Sequence, residues 1–212
     1  MWHNNLNFQI KLLTLTISLS TVYFLEINIV KYLKIPVLER AWGEFQGQKG
    51  PQNGKKWGSK KLIIRRGPQK GFCQNFLQII NDKKINADLY FLSDQDDIWM
   101  PHKLSHTLKK ISKLDAAKSV LYCARTTYVS SDAKRILGQS DHFLEPPSFK
   151  NAFIQSIAGG NTMAFNGQLK KFVQKYPKAD VVSHDWWLYI LNELVGGKTL
   201  YDSESTILYR QH

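Results

Sequence analysis

The feature that most constrains this 212-residue chain is an apolar run that ends at a group of carboxylates. Residues 89–92 read Leu-Tyr-Phe-Leu, which is the pattern of a strand buried on both faces. Asp94, Asp96 and Asp97 follow directly after Ser93. Since α/β proteins place their ligand sites where strands end at a cleft, we predict a buried strand that directs carboxylates at a ligand.

The spacing of the carboxylates indicates what that ligand is. Asp94 and Asp96 are two residues apart, so in an extended segment both side chains leave the same face. Two carboxylates at such a short distance repel one another unless a cation lies between them. A divalent ion with a diphosphate suits such a pair. The alternative is a solvated acidic turn that caps the next helix, and Asp97 is the residue that we expect to be a cap only.

Composition places the chain among globular proteins with one ordinary core. It is 43% hydrophobic and 22% charged, which argues against a disordered chain. The two cysteines, Cys73 and Cys123, are too few for a disulfide framework and both lie among apolar residues. We therefore expect buried, reduced thiols in a cytosolic protein.

The positive charge is concentrated at the start of the chain. Of the net charge of +12, residues 1–70 carry +9, from 12 basic and three acidic residues. A stretch rich in glycine and lysine, residues 43–71, separates this part from the rest. We divide the chain into an atypical basic head with its linker, 1–59, and a body, 60–212. Such a head suits an anionic membrane surface or nucleic acid, although solvated lysine-rich loops are the commoner explanation.

The head has one regular pattern. Residues 13–20 alternate apolar and hydroxyl side chains, which predicts a strand with one polar face. Residues 12–30 contain a single charge, Glu26, so a membrane span is the alternative. Because the head fits no unit of the fold predicted for the body, we expect it to contact the body poorly.

From residue 60 onward, strands and helices alternate, which predicts an α/β sandwich. The expected strands are 61–65, 89–92, 119–129, 162–165, 199–201 and 206–209. The expected helices are 72–80, 101–114, 149–157, 169–176 and 184–195.

Two further stretches of the body carry side chains suited to binding. Residues 159–162 read Gly-Gly-Asn-Thr, in which Gly160 lets a backbone approach a ligand and Asn161 can bond sugar hydroxyls. A tight turn before a strand explains them equally well. The given sequence also ends in Tyr-Arg-Gln-His, after a predicted strand. Taken alone, this motif does not indicate a function, since termini are commonly frayed.

The start of the last long helix carries a carboxylate among aromatic rings. Asp185 is a plausible general base, and the rings of Trp186 and Trp187 suit sugar faces. The alternative is that Asp185 or Ser183 caps the helix while both tryptophans lie in the core.

Taken in chain order, the motifs SDQDDIW, GGNT, HDWW and YRQH resemble those of bacterial family-2 glycosyltransferases, the rhamnosyltransferase-like members especially. The resemblance spans residues 60–212. It implies the GT-A fold, a Rossmann-like α/β fold with a mixed, mostly parallel sheet and helices on both faces. It also implies inverting transfer of a rhamnose-like or other hexose from a nucleotide-diphosphate sugar to a glycan or lipid-linked acceptor, with Mg²⁺ or Mn²⁺ as cofactor.

Matching by position assigns roles to single residues. Asp94 and Asp96 match the DxD motif, with Asp94 near the donor sugar or ribose and Asp96 a metal ligand. His212 matches a late histidine that reaches the metal or the diphosphate, and Asp185 matches the base that takes the proton of the acceptor hydroxyl. The acceptor side is assigned to Gly160, Asn161, Trp186 and Trp187.

The resemblance does not extend to the head. Relatives begin with two strands whose end turns, Thr-Tyr-Asn-like and Asp-Asp-Gly-Ser-like, hold the nucleotide, whereas no aspartate precedes Asp82 here. Either the head is an unrelated or reading-frame-altered replacement, or the protein is a remnant of the enzyme. In both cases we expect a fold that is incomplete at its N-terminus and lacks the normal nucleotide-binding half, so that the chain would be a truncated or inactive form of the enzyme.

Other classes of protein remain open. A non-catalytic remnant, or a basic module that binds membranes or nucleic acid, would bind in a salt-dependent way without needing the aspartates. An aspartate-nucleophile phosphotransferase also has an apolar strand before its carboxylates, but it does not explain HDWW. On the favoured interpretation we expect no specific nucleic-acid partner. We expect the protein in the cytoplasm or at the inner face of the cytoplasmic membrane, which its basic head would contact.

Overall fold

The computed structural model describes residues 67–68, 70–94, 96–177 and 179–212 in full, and the backbone of residues 9–15, 21–28 and 61–66. The strands in this part of the chain are β1 (Gln9–Leu15), β2 (Thr21–Asn28), β3 (Lys61–Arg66), β4 (Leu89–Ser93), β5 (Ile98–Trp99), β6 (Val120–Ala124), β7 (Thr127–Ser130), β8 (Ile136–Gln139), β9 (Ala164–Asn166), β10 (Lys198–Asp202) and β11 (Ile207–Gln211). The helices are α1 (Gly71–Asn81), α2 (Lys103–Ile111), α3 (Phe149–Ile154), α4 (Gly167–Val173) and α5 (His184–Leu194).

The larger sheet has seven strands in the order β10-β6-β9-β4-β1-β2-β3. Only the β10–β6 and β1–β4 pairs are parallel, and the other four pairs are antiparallel. The sheet is therefore mixed, as predicted, but the expectation of mostly parallel pairing is wrong. Five of the seven strands run in one direction. The other two, β9 and β2, run the opposite way, and because each lies between two strands of the first direction, four of the six pairs are antiparallel.

The smaller sheet has four strands in the order β5-β11-β7-β8. The single strand predicted over residues 119–129 is in fact two, because the chain leaves the larger sheet after Ala124 and enters the smaller one at Thr127. Arg125 joins the sheets at this crossing, since its backbone N–H bonds to the Asp202 carbonyl and its guanidinium donates to the Ser140 carbonyl.

The core lies on both faces of the larger sheet because β4 is buried along its whole length. Tyr90 and Leu92 belong to the cluster that includes Phe76 of α1 and residues of α4 and α5. Leu89 and Phe91 belong to the opposite cluster, which includes Leu104 of α2. Helices on both faces are thus confirmed. Cys73 and Cys123 are buried and unbridged, as predicted.

Two strands of the head are part of the larger sheet. β1 pairs in parallel with β4, with Ile10 opposite Leu89, and β2 pairs antiparallel with β1. The expectation that the head fits no unit of the fold is wrong for these two strands, because their backbones extend the sheet. The linker lies outside the described residues, and the division at residue 60 stays a prediction. None of the described helices is long and apolar enough to cross a membrane.

The topology brings the sequence motifs to one edge of the larger sheet. The carboxyl ends of β4, β6 and β10 share this edge because the three strands run in the same direction. β9 runs the other way, so the short 3₁₀ helix that precedes it, Gly160–Thr162, also lies at this edge. Asp94 follows β4 here, as predicted for a ligand site.

Candidate active site

A cleft of about 560 Å³ opens at this edge of the sheet. Its lining includes Asp94 after β4, Gly160 and Asn161 before β9, and His184 and Asp185 at the start of α5. The structure thus brings together three motifs that are far apart in the sequence. The roles predicted for these residues stay predictions.

Asp185 is fixed by two backbone N–H groups. Its Oδ2 accepts a hydrogen bond from the backbone N–H of Gly160 at 2.9 Å, and its Oδ1 accepts one from the backbone N–H of Trp186 at 2.8 Å. The bond to Gly160 crosses from α5 to the loop before β9, so Asp185 is more than a cap of its own helix. A carboxylate has about four lone-pair sites, so each oxygen keeps the capacity to accept a further bond from a ligand.

Gly160 is required for this approach. A Cβ atom at residue 160 would lie 3.0 Å from Nε2 of His184 and 3.3 Å from Oδ2 of Asp185. The lack of a side chain therefore lets the loop come close enough to hold the Asp185 carboxylate.

Asp94 is a half-buried carboxyl group among other carboxylates. Burial first, and then the charges of Asp97, Asp96 and Asp185, together raise its pKa to about 7. At neutral pH this group therefore exchanges readily between its charged and neutral forms. The accumulation of negative charge favours a cation or a hydroxyl-rich ligand beside it.

The structure corrects the prediction for Asp97. Helix α2 begins at Lys103 and has His102 at its N-cap, so Asp97 is not a helix cap. Asp97 is buried, and its Oδ2 accepts a hydrogen bond from Nδ2 of Asn161 at 2.8 Å. Burial raises its pKa to about 6, and the hydrogen bond from Asn161 opposes that rise. Asp97 thus connects the acidic turn that follows β4 to the segment before β9 that carries Gly160 and Asn161.

Lys103 is a residue that the sequence analysis missed. It is buried, its Nζ lies 4.9 Å from the centroid of the Trp99 ring, and burial lowers its pKa to about 7 while the charge of Asp97 opposes that shift. A lysine at the start of a helix is ordinarily solvated, so the sequence pattern carries no signal of this burial.

The pair predicted to bind metal does meet. Strand β11 pairs with β5, which directly follows the acidic turn, and this pairing carries the chain end back to it. Nε2 of His212 lies 2.8 Å from Oδ2 of Asp96, and both side chains reach solvent. Among the described residues, no group of three or more His, Cys, Asp or Glu could hold a metal ion. The metal role predicted for Asp96 and His212 stays a prediction, and it would require further ligands such as substrate oxygens and water.

The two tryptophans lie beside this cleft's lining and not in it. Neither is among the residues that line the cleft. Nε1 of Trp186 donates to the carbonyl of Ala152 at 2.6 Å, and Trp187 contacts the core and the edge of Tyr176. Successive residues of a helix diverge by about 100°, and Asp185 takes the cleft-facing position. The acceptor contact predicted for the tryptophans stays a prediction.

Other aromatic rings line the cleft instead. Tyr128 of β7 and Tyr209 of β11 are register partners in the smaller sheet, with ring centroids 6.1 Å apart. Phe143 and Tyr201 form a second pair at 5.6 Å. All four line the cleft. Sequence reasoning missed them because the existence of the smaller sheet decides which way they face.

Two mixed sheets with helices, and a carboxylate-lined cleft at the edge of the larger one, are consistent with a glycosyltransferase-like fold. The chain is 27% identical over 150 residues to the dTDP-rhamnosyl transferase RfbG of Shigella flexneri. The match covers 67% of this chain and 50% of RfbG, so the chain spans about half the length of the curated relative. No family model matches the chain. The similarity supports a glycosyltransferase-like relationship.

Replacing Gly160 by alanine should displace the Asp185 carboxylate. The new methyl group would meet His184 and Asp185 at 3.0 and 3.3 Å, so we expect a loss of unfolding free energy of about 1–3 kcal/mol in urea titrations. Gly159→Ala is the matched control, since its methyl group would meet only a side-chain oxygen of Asn161, at 3.3 Å. Equal losses in the two variants would contradict the role of Gly160.

His184 should make stability depend on pH in a defined window. Its ring is stacked on Phe76, and burial lowers its pKa from 6.5 to about 4, which the charge of Asp185 opposes. Between these values the unfolded chain binds the proton and the folded chain does not. The contribution of His184 to the free energy of unfolding should therefore fall, by roughly 1–3 kcal/mol, as pH drops from about 6.5 to about 4. The raised pKa values of Asp94, about 7, and Asp97, about 6, act in the opposite direction over this range, so the contribution of His184 is the difference between wild type and a variant that lacks it.

His184→Phe should remove the contribution of His184, because phenylalanine keeps the stacking and cannot titrate. The free energy of unfolding of this variant relative to wild type should therefore rise as pH drops from about 6.5 to about 4. His142→Phe is the control, since His142 is exposed in a loop and its removal should leave the difference from wild type constant. The measurement is chemical denaturation at a series of pH values. A constant difference between wild type and His184→Phe across this range would contradict the role of His184.

Proposed function

We propose that this protein is a glycosyltransferase that moves a sugar from a nucleotide-diphosphate donor to a hydroxyl of a glycan or lipid-linked acceptor, with inversion at the anomeric carbon. The observation that carries the proposal is that Asp94 and Asp185, from opposite ends of the body, line one cleft. The similarity to RfbG supports the class of reaction and makes a dTDP-linked, rhamnose-like sugar the first donor to test.

The proposed base is Asp185. In inverting transfer the acceptor hydroxyl attacks the anomeric carbon directly and loses its proton as it does so, so a carboxylate must lie about 2.6–3.2 Å from it. The backbone N–H groups of Gly160 and Trp186 hold the Asp185 carboxylate in one orientation. That fixed orientation reduces the reorganisation needed when the acceptor binds.

The proposed donor side is the acidic turn. Asp96 and His212 would hold a divalent cation, Mg²⁺ or Mn²⁺, together with oxygens of the donor diphosphate. When bound, such an ion offsets the negative charge that the departing diphosphate gains. The cleft-lining residues that the structure describes include no lysine or arginine that would do this instead.

Asp94 and Asn161 supply hydrogen bonds to sugar hydroxyls in this proposal. With its pKa raised to about 7 by burial, Asp94 can donate as a neutral acid or accept as a carboxylate near neutral pH. Nδ2 of Asn161 is bonded to Asp97, which leaves its carbonyl oxygen to accept from a hydroxyl of the acceptor.

Two matched substitutions separate the proposed roles. Asp96→Asn should weaken binding of dTDP with Mn²⁺ in calorimetry, because a charged ligand is lost. Asp185→Asn should leave that binding unchanged but lower sugar transfer by ~10² or more, because the amide cannot accept the proton. Without nucleotide, we expect Mn²⁺ to bind only weakly, since the described residues provide too few ligands.

The comparison uses dTDP-rhamnose, with transfer to glycan acceptors followed by chromatography. Equal binding of dTDP and Mn²⁺ by wild type and Asp96→Asn would remove the metal role of Asp96. Transfer by Asp185→Asn at the wild-type rate would remove the assignment of Asp185 as the base.

A further inference from the structure

The wall of the cleft formed by the smaller sheet and the strands beside it has no role in the chemistry proposed above. It presents two aromatic pairs, Tyr128 with Tyr209 at an interplanar angle of 71°, and Phe143 with Tyr201 at 80°. Each pair combines tyrosine hydroxyls with apolar ring faces. Such rings pack against the C–H faces of sugars, while the hydroxyls bond to their polar groups.

The charge of the lining is opposite in sign to that of the protein. Three carboxylates, from Asp94, Asp141 and Asp185, line the cleft. None of the lining residues that the structure describes is a lysine or arginine, although the chain has 29 of these residues and a net charge of +12. His184 also lines the cleft, and because burial lowers its pKa to about 4 it is uncharged at neutral pH.

His184 gives a second, independent indication of a polar ligand. The residue is only 5% exposed, and within the part of the chain that the structure describes neither of its ring nitrogens has a hydrogen-bond partner. A buried polar atom without a partner is costly, so a ligand that enters the cleft and bonds to the ring gains affinity from it. A sugar hydroxyl can serve either nitrogen, because it both donates and accepts.

We propose that the sugar accepted in this cleft is uncharged, and that the lining excludes uronic acids and other anionic sugars. This inference rests on the proposed function. The hydroxyls of a neutral sugar can donate to the lining carboxylates, while its C–H face packs against the aromatic rings. A carboxylate on the sugar would meet like charges, with no cation among the described lining residues to pair with it.

Asp141 is the residue that sets this discrimination. It follows β8, outside the acidic turn and outside α5, and its backbone carbonyl accepts a hydrogen bond of 3.0 Å from the hydroxyl of Tyr201. The bond ties the backbone of Asp141, a residue of the cleft lining, to one of the aromatic pairs. Asp94 and Asp185 face the reacting atoms in the proposed mechanism, which leaves Asp141 to act on the rest of the sugar.

The test is saturation-transfer NMR on the full chain with matched methyl glycosides. The pairs are glucoside with glucuronide and galactoside with galacturonide, which differ only at the sixth carbon. We expect each neutral glycoside to bind at least about fivefold more tightly than its acid, the factor expected from one like charge a few ångströms away. Tyr209→Ala should weaken binding of the neutral glycosides.

Asp141→Asn should reduce the ratio of the affinity for the neutral glycoside to that for its acid to about half of the wild-type ratio or less. Glu145→Gln is the matched control, because it also removes one negative charge but from an exposed loop residue outside the lining, and the preference should persist. Equal binding of neutral and acidic glycosides by wild type would overturn the inference, and so would a lack of binding by every neutral glycoside.

Binding of dTDP with Mg²⁺, measured on the same protein, separates this inference from the proposed function. If dTDP binds and the acidic glycosides bind as well as the neutral ones, the inference about sugar charge is wrong, while the proposed function keeps its support. If dTDP does not bind but the neutral glycosides are still preferred, the proposed function loses its support while the sugar selectivity of the cleft is upheld.

Discussion

The cleft depends on one partly buried hydrogen bond, from Nδ2 of Asn161 to Oδ2 of Asp97, 2.8 Å long. Asp97 belongs to the acidic turn after β4, and Asn161 belongs to the short helix before β9. A carboxylate that is only 2% exposed is expensive unless polar partners surround it. Besides Asn161, the backbone N–H of Arg210 bonds to it, and the charge of Lys103 stabilises its ionised form. The turn that carries Asp94 and Asp96 is held in place by these contacts.

From Asn161 the connection continues to the proposed base. Gly160 is its neighbour in the chain, and the backbone N–H of Gly160 holds Asp185 at 2.9 Å. Two hydrogen bonds and one peptide unit therefore link the carboxylates on either side of the cleft. Such a link allows the proposed metal-binding side and the proposed base side to keep a fixed separation, which the proposed transfer between two bound sugars requires.

The sequence predicted the elements whose side chains are buried in a simple pattern. β4, α1 and α5 are long or fully apolar, and their positions agree with the structure. The direction of β9 was not predictable, because pairing depends on the length and path of the connections and not on the strand itself. β8 was missed because Ile136 and Leu137 are exposed, so the strand has no buried face to mark it.

The residue types of the candidate site were predictable, but several of their contacts were not. The order of motifs led to Asp94, Asp96, Asp185 and His212, and the structure brings Asp96 to His212. The burial of Asp97 and Lys103 depends on tertiary contacts that leave no local pattern, since acidic and basic residues normally face solvent. The sequence also did not show which residue at the start of α5 faces the cleft, because it gives the order of residues and not the rotation of the helix about its axis; Asp185 lines the cleft and Trp186 and Trp187 do not.

The most direct test of this account is a double-mutant cycle between Asp97 and Asn161. Urea unfolding of wild type, Asp97→Ala, Asn161→Ala and the double variant gives the coupling free energy of the pair. We expect a coupling of at least about 1 kcal/mol, because a buried hydrogen bond to a charged group typically contributes about 1.5–3 kcal/mol. Effects that add to within about 0.5 kcal/mol would show that the two residues act independently, and would contradict the claim that this bond holds the two sides of the cleft together.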